Sequence, residues 1–208
     1  MTSFISALSE QLHHQSAELT QDQLHQLGVH FELMTKWNKT HNLTRIVDGR
    51  AAAEKHYLDC LKGLDWVPDS CVAHDFGSGA GFPGLVAAIA RPHQNFVLVE
   101  PARKRASFLE RAVKTIGLTN AAVAHCRAQE LTDLELVISR GTFSWPNFEP
   151  LVDSLKILGQ LALWLGHTPT EKEFHEGMGQ KGLQTDWFSY ELPLSGLRHM
   201  GRAIKTQP

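Results

Sequence analysis

Residues 75–84 read Asp-Phe-Gly-Ser-Gly-Ala-Gly-Phe-Pro-Gly, set between a short apolar run and a second one of helical character. Glycines let a backbone turn sharply and approach a ligand closely, and a helix that follows offers N–H groups with no partner inside it. Glu100 ends the run Phe-Val-Leu-Val-Glu, 23 residues after Gly77. An acid at that place accepts hydrogen bonds from both hydroxyls of a ribose. Gly77, Ser78, Gly79 and Glu100 are therefore candidate contacts to a nucleoside cofactor.

The spacing chooses among such cofactors. A dinucleotide site wants G-x-G-x-x-G, which would place its third glycine at position 82, and Phe82 stands there instead. The tighter G-x-G-x-G suits a cofactor with no pyrophosphate to cradle, namely S-adenosylmethionine. No Gly-Lys-Ser/Thr follows the glycines, so a P-loop is excluded. Further on, Arg127-Ala128-Gln129-Glu130 follows a third apolar run, where Ala128 and Gln129 would pack and hydrogen-bond against an adenine.

The acceptor end of such a site lies after the fourth strand, which here ends Ser139-Arg140-Gly141-Thr142. Enzymes that methylate exocyclic or amide nitrogens carry an Asn/Asp-Pro-Pro-aromatic tetrad there, and this chain has none. It also lacks the Pro-Cys pair of enzymes that attack a pyrimidine through a thiolate. Guanine N7 has a free in-plane lone pair and no proton to lose, so its methylation needs alignment and dryness rather than a base. Arg140 would serve it by holding the cofactor carboxylate, a guanine O6 or a phosphate.

These residues need a frame, and the hydrophobic pattern supplies one. Residues 3–14 and 20–38 read as helices, the second with Leu24, Leu27, Phe31 and Met34 at helical spacing. Asp48 or Gly49 starts a third, running to Leu61. From Cys71 the order alternates: strands at 72–76, 96–100, 121–125, 134–139 and 161–165, and helices at 83–90 and 102–116. Residues 187–192 and 197–204 would pair as antiparallel edge strands. Alternation of this kind predicts an α/β fold with a mostly parallel sheet covered on both faces. The expected division is a helical extension over residues 1–65 and a cofactor-binding unit over 66–208.

At 208 residues the chain can bury a full core without disulfides. Cys60, Cys71 and Cys126 are odd in number and scattered, as in a reduced cytoplasmic protein. There is no apolar run of about 20 residues and no signal-peptide pattern, so no membrane partner is expected. Among twelve histidines only His13-His14 form a close pair, and no metal site is expected. Net charge is −2, but residues 36–62 hold six Lys/Arg against three acids, and 91–127 seven against two. Residues 128–194 reverse this, with four against ten. Such segregation gives a near-neutral protein a basic face suited to a polyanion.

The motifs together resemble the bacterial 16S ribosomal RNA guanine-N7 methyltransferases, also called glucose-inhibited division protein B. The likeness runs from about Leu33 to Lys205. It rests on Lys36-Trp37-Asn38-Lys39 with Asn42-Leu43-Thr44, then His56 with Leu58-Asp59, Asp75–Gly84, Lys104-Arg105 with Phe108-Leu109, Arg127 with Glu130, Ile138-Ser139-Arg140, Arg198-His199 and Ile204-Lys205. It implies a class I, Rossmann-like methyltransferase fold with a seven-stranded sheet. It implies cofactor contacts at Gly77, Phe82, Ala128, Gln129 and Arg140, with Glu100 at the ribose and Arg140 in the catalytic role. Lys36, Lys39, Arg45, Arg103, Lys104 and Arg105 become candidates for RNA contact. The implied partner is 16S RNA or the 30S particle, met by a cytoplasmic monomer. Two departures stand out: Leu165 where the family has Lys, and Gly141 where it has Ala. The competing readings are a cofactor-sensing or RNA-binding protein without turnover, and a methyltransferase acting on another substrate.

Overall fold

A computed structural model describes residues 2–13, 19–143, 145–166 and 168–206. His14, expected to end the first helix, lies outside them. The helices of the N-terminal third are α1 (Thr2–His13) and α2 (Gln21–His41). Thr20 caps α2 through a capping box with Gln23, and Asn42 ends it in the left-handed conformation at φ +48°. Asp48 caps α3 (Gly49–Ala52), as its position promised. The chain then widens into a π-helical turn (Ala53–Leu58) before α4 (Asp59–Gly63). The pattern at 51–61 predicts one regular helix; the π turn inside it is a feature that helical spacing does not encode.

The α/β body follows as β1 (Ala73–Phe76), α5 (Gly84–Ala90), β2 (Phe96–Val99), α6 (Arg103–Ile116), β3 (Ala121–Ala124) and β4 (Leu134–Arg140). Then come α7 (Glu149–Asp153), β5 (Leu155–Leu165), α8 (Glu171–Gly179), β6 (Leu183–Leu192) and β7 (Gly196–Lys205). The seven strands lie in the order β3-β2-β1-β4-β5-β7-β6. β1 to β5 are parallel, and β7 joins β5 antiparallel and pairs with β6 as a hairpin. The expected architecture is therefore present, with two short helices added. β5 is longer than its apolar pattern, because Leu158 at φ +64° and a register shift interrupt the alternation near its start.

Alternation along the central strands builds two cores. Ala73, Leu136 and Ile138 face α5, α6 and the N-terminal helices, whereas Phe76, Val99, Val137 and Leu161 face α7 and α8. The first core is continuous from Phe4, Leu27 and Tyr57 through Leu85 and Phe108 to Ile138. The N-terminal helices thus complete one face of the sheet. The chain order reverses between β1 and β4, and a ligand crevice is expected outside the carboxyl ends of strands at such a point.

Candidate active site

That crevice is present. A cleft of about 860 Å³ is lined by Gly77, Val99, Pro101, Arg127, Ala128, Gln129, Glu130, Thr142 and Phe143, from the ends of β1, β2, β3 and β4. Gly77 has φ +73°, and a Cβ there would sit 2.2 Å from the Thr142 side chain, so only glycine fits. Thr142 donates its hydroxyl to the Gly77 carbonyl at 3.2 Å, fastening the β4 end to the loop. Three predicted contacts, Gly77, Ala128 and Gln129, thus share one cleft. Five others, Ser78, Gly79, Phe82, Glu100 and Arg140, do not line it.

Ser78 is buried and donates its hydroxyl to the Asp75 carbonyl at 2.9 Å, bracing the turn from beneath. Glu100 is 2% exposed; its carboxylate accepts from the N–H groups of Gly79 at 3.0 Å and Ala102 at 2.9 Å. It ties the glycine loop to the start of α6 and retains lone pairs for further donors. Phe82 lies in an aromatic box, its ring centroid 4.6 Å from His56, 5.2 Å from Tyr57 and 5.4 Å from His30. Arg140 points away from the large cleft, towards the N-terminal helices.

Arg140 is held from several sides. It donates from Nη1 to the Lys55 carbonyl and to Asp59 Oδ2, both at 3.0 Å, and its guanidinium stacks 5.1 Å from the Phe82 centroid. The Asp59 carboxylate also accepts from the Tyr190 hydroxyl at 2.9 Å. The Asp59 backbone carbonyl takes the Trp164 indole N–H at 2.9 Å. Around this cluster lies a second cavity of about 330 Å³, lined among others by Lys55, His56, Arg140, Leu165 and Arg198. Leu165 stands at its wall in place of a cation, and Lys55 and Arg198 keep the lining basic. His56, Asp59 and Tyr190 were not assigned roles from sequence. Tyr190 lies 131 residues from Asp59, and only the antiparallel β6–β7 return brings them together.

Beneath the loop, Asp75 is fully buried and accepts from the Gly84 N–H at 2.8 Å, while its Oδ1 has no hydrogen-bond partner. Burial pushes its carboxyl up to about 7, against the hydrogen bonds it receives. A carboxyl with an open acceptor below the glycine turn suits the ammonium group of an amino-acid-bearing nucleoside. The cleft, the crowded glycine and this acid together fit the cofactor that the loop spacing implies.

The expected RNA-facing residues lie at one end of the helical layer. Trp37 of α2 packs edge-on against Phe108 of α6 at 5.7 Å, and so joins the helices that carry Lys36 and Lys39 and Arg103, Lys104 and Arg105. All five are exposed, as is Arg45 in the loop after α2. The Lys-Trp-Asn-Lys…Asn-Leu-Thr block also has an internal role. The Asn38 amide clamps both the N–H and the carbonyl of Thr44 at 2.9 Å, which sets that loop beside Arg140 and the glycines. Among the described residues no cluster of three or more His, Cys, Asp or Glu could hold a metal, and no helix is long and apolar enough to cross a membrane.

Strand order, a glycine turn after β1 and a cleft over the ends of β1–β4 define a class I, Rossmann-like methyltransferase fold. The same fold is found in an S-adenosylmethionine-dependent methyltransferase from Aquifex aeolicus (TM-score 0.57, 18% identity, 83% of this chain and 98% of that one). Precorrin-6y C5,15-methyltransferase from Geobacter metallireducens shares it too (TM-score 0.52, 16% identity, 80% and 92% covered). The chain belongs to the family described as rRNA small subunit methyltransferase G, or GidB, which it matches over residues 23–177. It is 38% identical over 145 residues to ribosomal RNA small subunit methyltransferase G of Wolinella succinogenes, covering 67% of this chain and 73% of that one. Its match to the Desulforamulus reducens protein of the same name is 39% over 116 residues, covering 54% of this chain and only about half, 48%, of the relative.

Proposed function

We propose that the protein transfers the methyl group of S-adenosylmethionine to N7 of a guanosine in 16S ribosomal RNA, acting as a cytoplasmic monomer on the RNA or the 30S particle. The carrying observation is that, among the described residues, the polar side chains bonded to Arg140 include no free base. Among the described residues, Asp59 is shared by Arg140 and Tyr190, and His56 is committed at both ring nitrogens. An acceptor with its own lone pair is the one such a site serves, since alignment and water exclusion suffice for it. Membership of the family supports the same acceptor.

In this reading the bound cofactor supplies an electrophilic sulfonium methyl group. Gly77, Ala128 and Gln129 line its cleft, Ser78 and Gly79 set the turn beside it, Glu100 is the acid for its ribose, and Phe82 braces the same loop. Arg140 is the catalytic residue: held rigidly at the wall of the second cavity and beside the glycine loop, it orients the guanine and offsets nearby phosphate charge. Lys36, Lys39, Arg45, Arg103, Lys104 and Arg105 meet the RNA backbone. The test is nucleoside mass spectrometry of 16S RNA from a strain lacking the gene, with the purified protein added back to 30S particles. One methylguanosine should vanish and return; an unchanged profile would sink the proposal. Cofactor binding without any methylated product would favour the sensing alternative.

A further inference from the structure

The glycine loop is gripped from the side opposite the cleft. His30 of α2 is fully buried, with Nε2 2.9 Å from the Ala80 carbonyl and Nδ1 2.8 Å from the Tyr57 hydroxyl. A carbonyl only accepts, so Nε2 carries the proton, and Nδ1 accepts from Tyr57. Burial lowers the imidazole to about 4, which keeps this neutral tautomer in place at physiological pH. A Cβ on Gly81 would lie 3.2 Å from His30 Nε2, so the contact is as close as the loop permits. Further along α2's axis, the Gln23 amide donates to the carbonyls of Ile89 at 3.0 Å and Ala90 at 3.1 Å. One helix therefore holds both ends of the unit formed by the glycine loop and α5.

We propose that His30 is a positioning residue for the cofactor: by fixing the Ala80 carbonyl it sets the path of Gly77–Gly81. The physical need is plain. A loop rich in glycine loses much conformational freedom when ordered, and a ligand that must order it binds more weakly. A buried donor that orders the loop in advance removes that cost. The N-terminal helices then form part of the cofactor site, although none of their residues lines the large cleft. The inference rests on the reading of that cleft as an S-adenosylmethionine site.

The experiment is titration calorimetry of the full chain with S-adenosylmethionine, alongside unfolding of the ligand-free protein and steady-state kinetics. His30→Leu removes the donor at similar volume. Its Kd and KM for the cofactor should rise about tenfold, as the loss of one ordering hydrogen bond implies, with kcat at saturation nearly unchanged. His30→Gln, which keeps a donor, should recover most of the affinity. Tyr57→Phe leaves the bond to Ala80 intact and should lower stability while cofactor affinity stays at the wild-type level. Wild-type affinity in a folded His30→Leu would overturn the proposal. If His30→Leu does not fold, a folded His30→Gln that binds no better than tenfold below wild type, or a Tyr57→Phe as weak, overturns it instead. A wild-type chain that binds no S-adenosylmethionine would strike the cofactor reading itself.

Discussion

Arg140 donates from Nη2 to Nδ1 of His56 across 3.1 Å, and this one contact fixes the chemistry of the imidazole. A guanidinium cannot accept, so His56 must present a lone pair there and carry its proton on Nε2. That N–H meets the Thr44 hydroxyl at 2.8 Å, while the Ile46 N–H donates to the same oxygen at 3.1 Å. Burial, and then the Arg140 charge, lower the imidazole to about 3. His56 is a neutral strut between the loop after α2 and the end of β4.

Arg140 is therefore expected to be irreplaceable by Lys. A single ammonium cannot reach the Lys55 carbonyl, Asp59 and His56 while presenting a flat face to Phe82. Arg140→Lys should lower kcat/KM for RNA methylation by about a hundredfold, the scale of a lost charge-assisted orienting group. His56→Gln should cost less and leave the pH–rate profile flat between pH 6 and 8. A limb in that range, present in the wild type and missing in His56→Gln, would show that His56 works as a base.

Gly77 permits a sharper test. Gly77→Ala meets both a positive φ and the Thr142 side chain at 2.2 Å, so either the loop or the β4 end must shift. Cofactor affinity should fall by at least about a hundredfold, because the lining of the cleft itself moves. Gly117→Ala is the control: its φ is +80° but nothing lies within 4 Å. It should cost about 1–2 kcal/mol of stability and leave the cofactor titration unchanged.

Legibility followed the range of the forces involved. The glycine loop, the succession of strands and helices along the chain and the helix start at Asp48 are local, and spacing reveals them. Ala128 and Gln129 were readable because a parallel strand must deliver its exit loop to the shared crevice. The Arg140 cluster was not, since His56 sits in a π turn, Asp59 opens α4 and Tyr190 lies on a returning hairpin far away in sequence. Helix α8 did carry a signal in Thr170-x-x-Glu173, a complete capping box in the structure, over a short apolar face of Phe174 and Met178. No local pattern marks His30, because its partner carbonyl lies 50 residues on.

Asp75 makes stability depend on pH in a definite direction. Its ordinary value is 3.8 and burial raises it to about 7, so the folded state holds a proton that the unfolded chain has released. That contribution is fully present below pH 3.8 and is lost as pH rises through 7. Asp75→Asn keeps an acceptor for the Gly84 N–H and has no charge to bury. Relative to wild type it should be stabilised progressively between pH 5 and 8, by chemical unfolding at fixed ionic strength. A stability difference that stays constant across that range would show that Asp75 is ionised in the fold.

The first turn of α6 carries Arg103, Lys104 and Arg105, with no acidic residue there and no side-chain cap from Ala102. The helix macrodipole is positive at this end, so each exposed cation opposes it by about 0.3–1 kcal/mol at low salt. A fold selected for stability alone would place acids here. Lys104→Glu should therefore stabilise the free protein, raising its unfolding midpoint, and at the same time weaken binding to 16S RNA. Lys104→Gln should reduce the slope of log Kd against log salt by about 0.7–0.9 if it loses one phosphate contact. Neither change should alter the S-adenosylmethionine titration, because Lys104 lies outside the cleft. A stabilised Lys104→Glu with wild-type RNA affinity and salt slope would remove this helix end from the RNA surface. The three cations would then be an energetic cost with no partner.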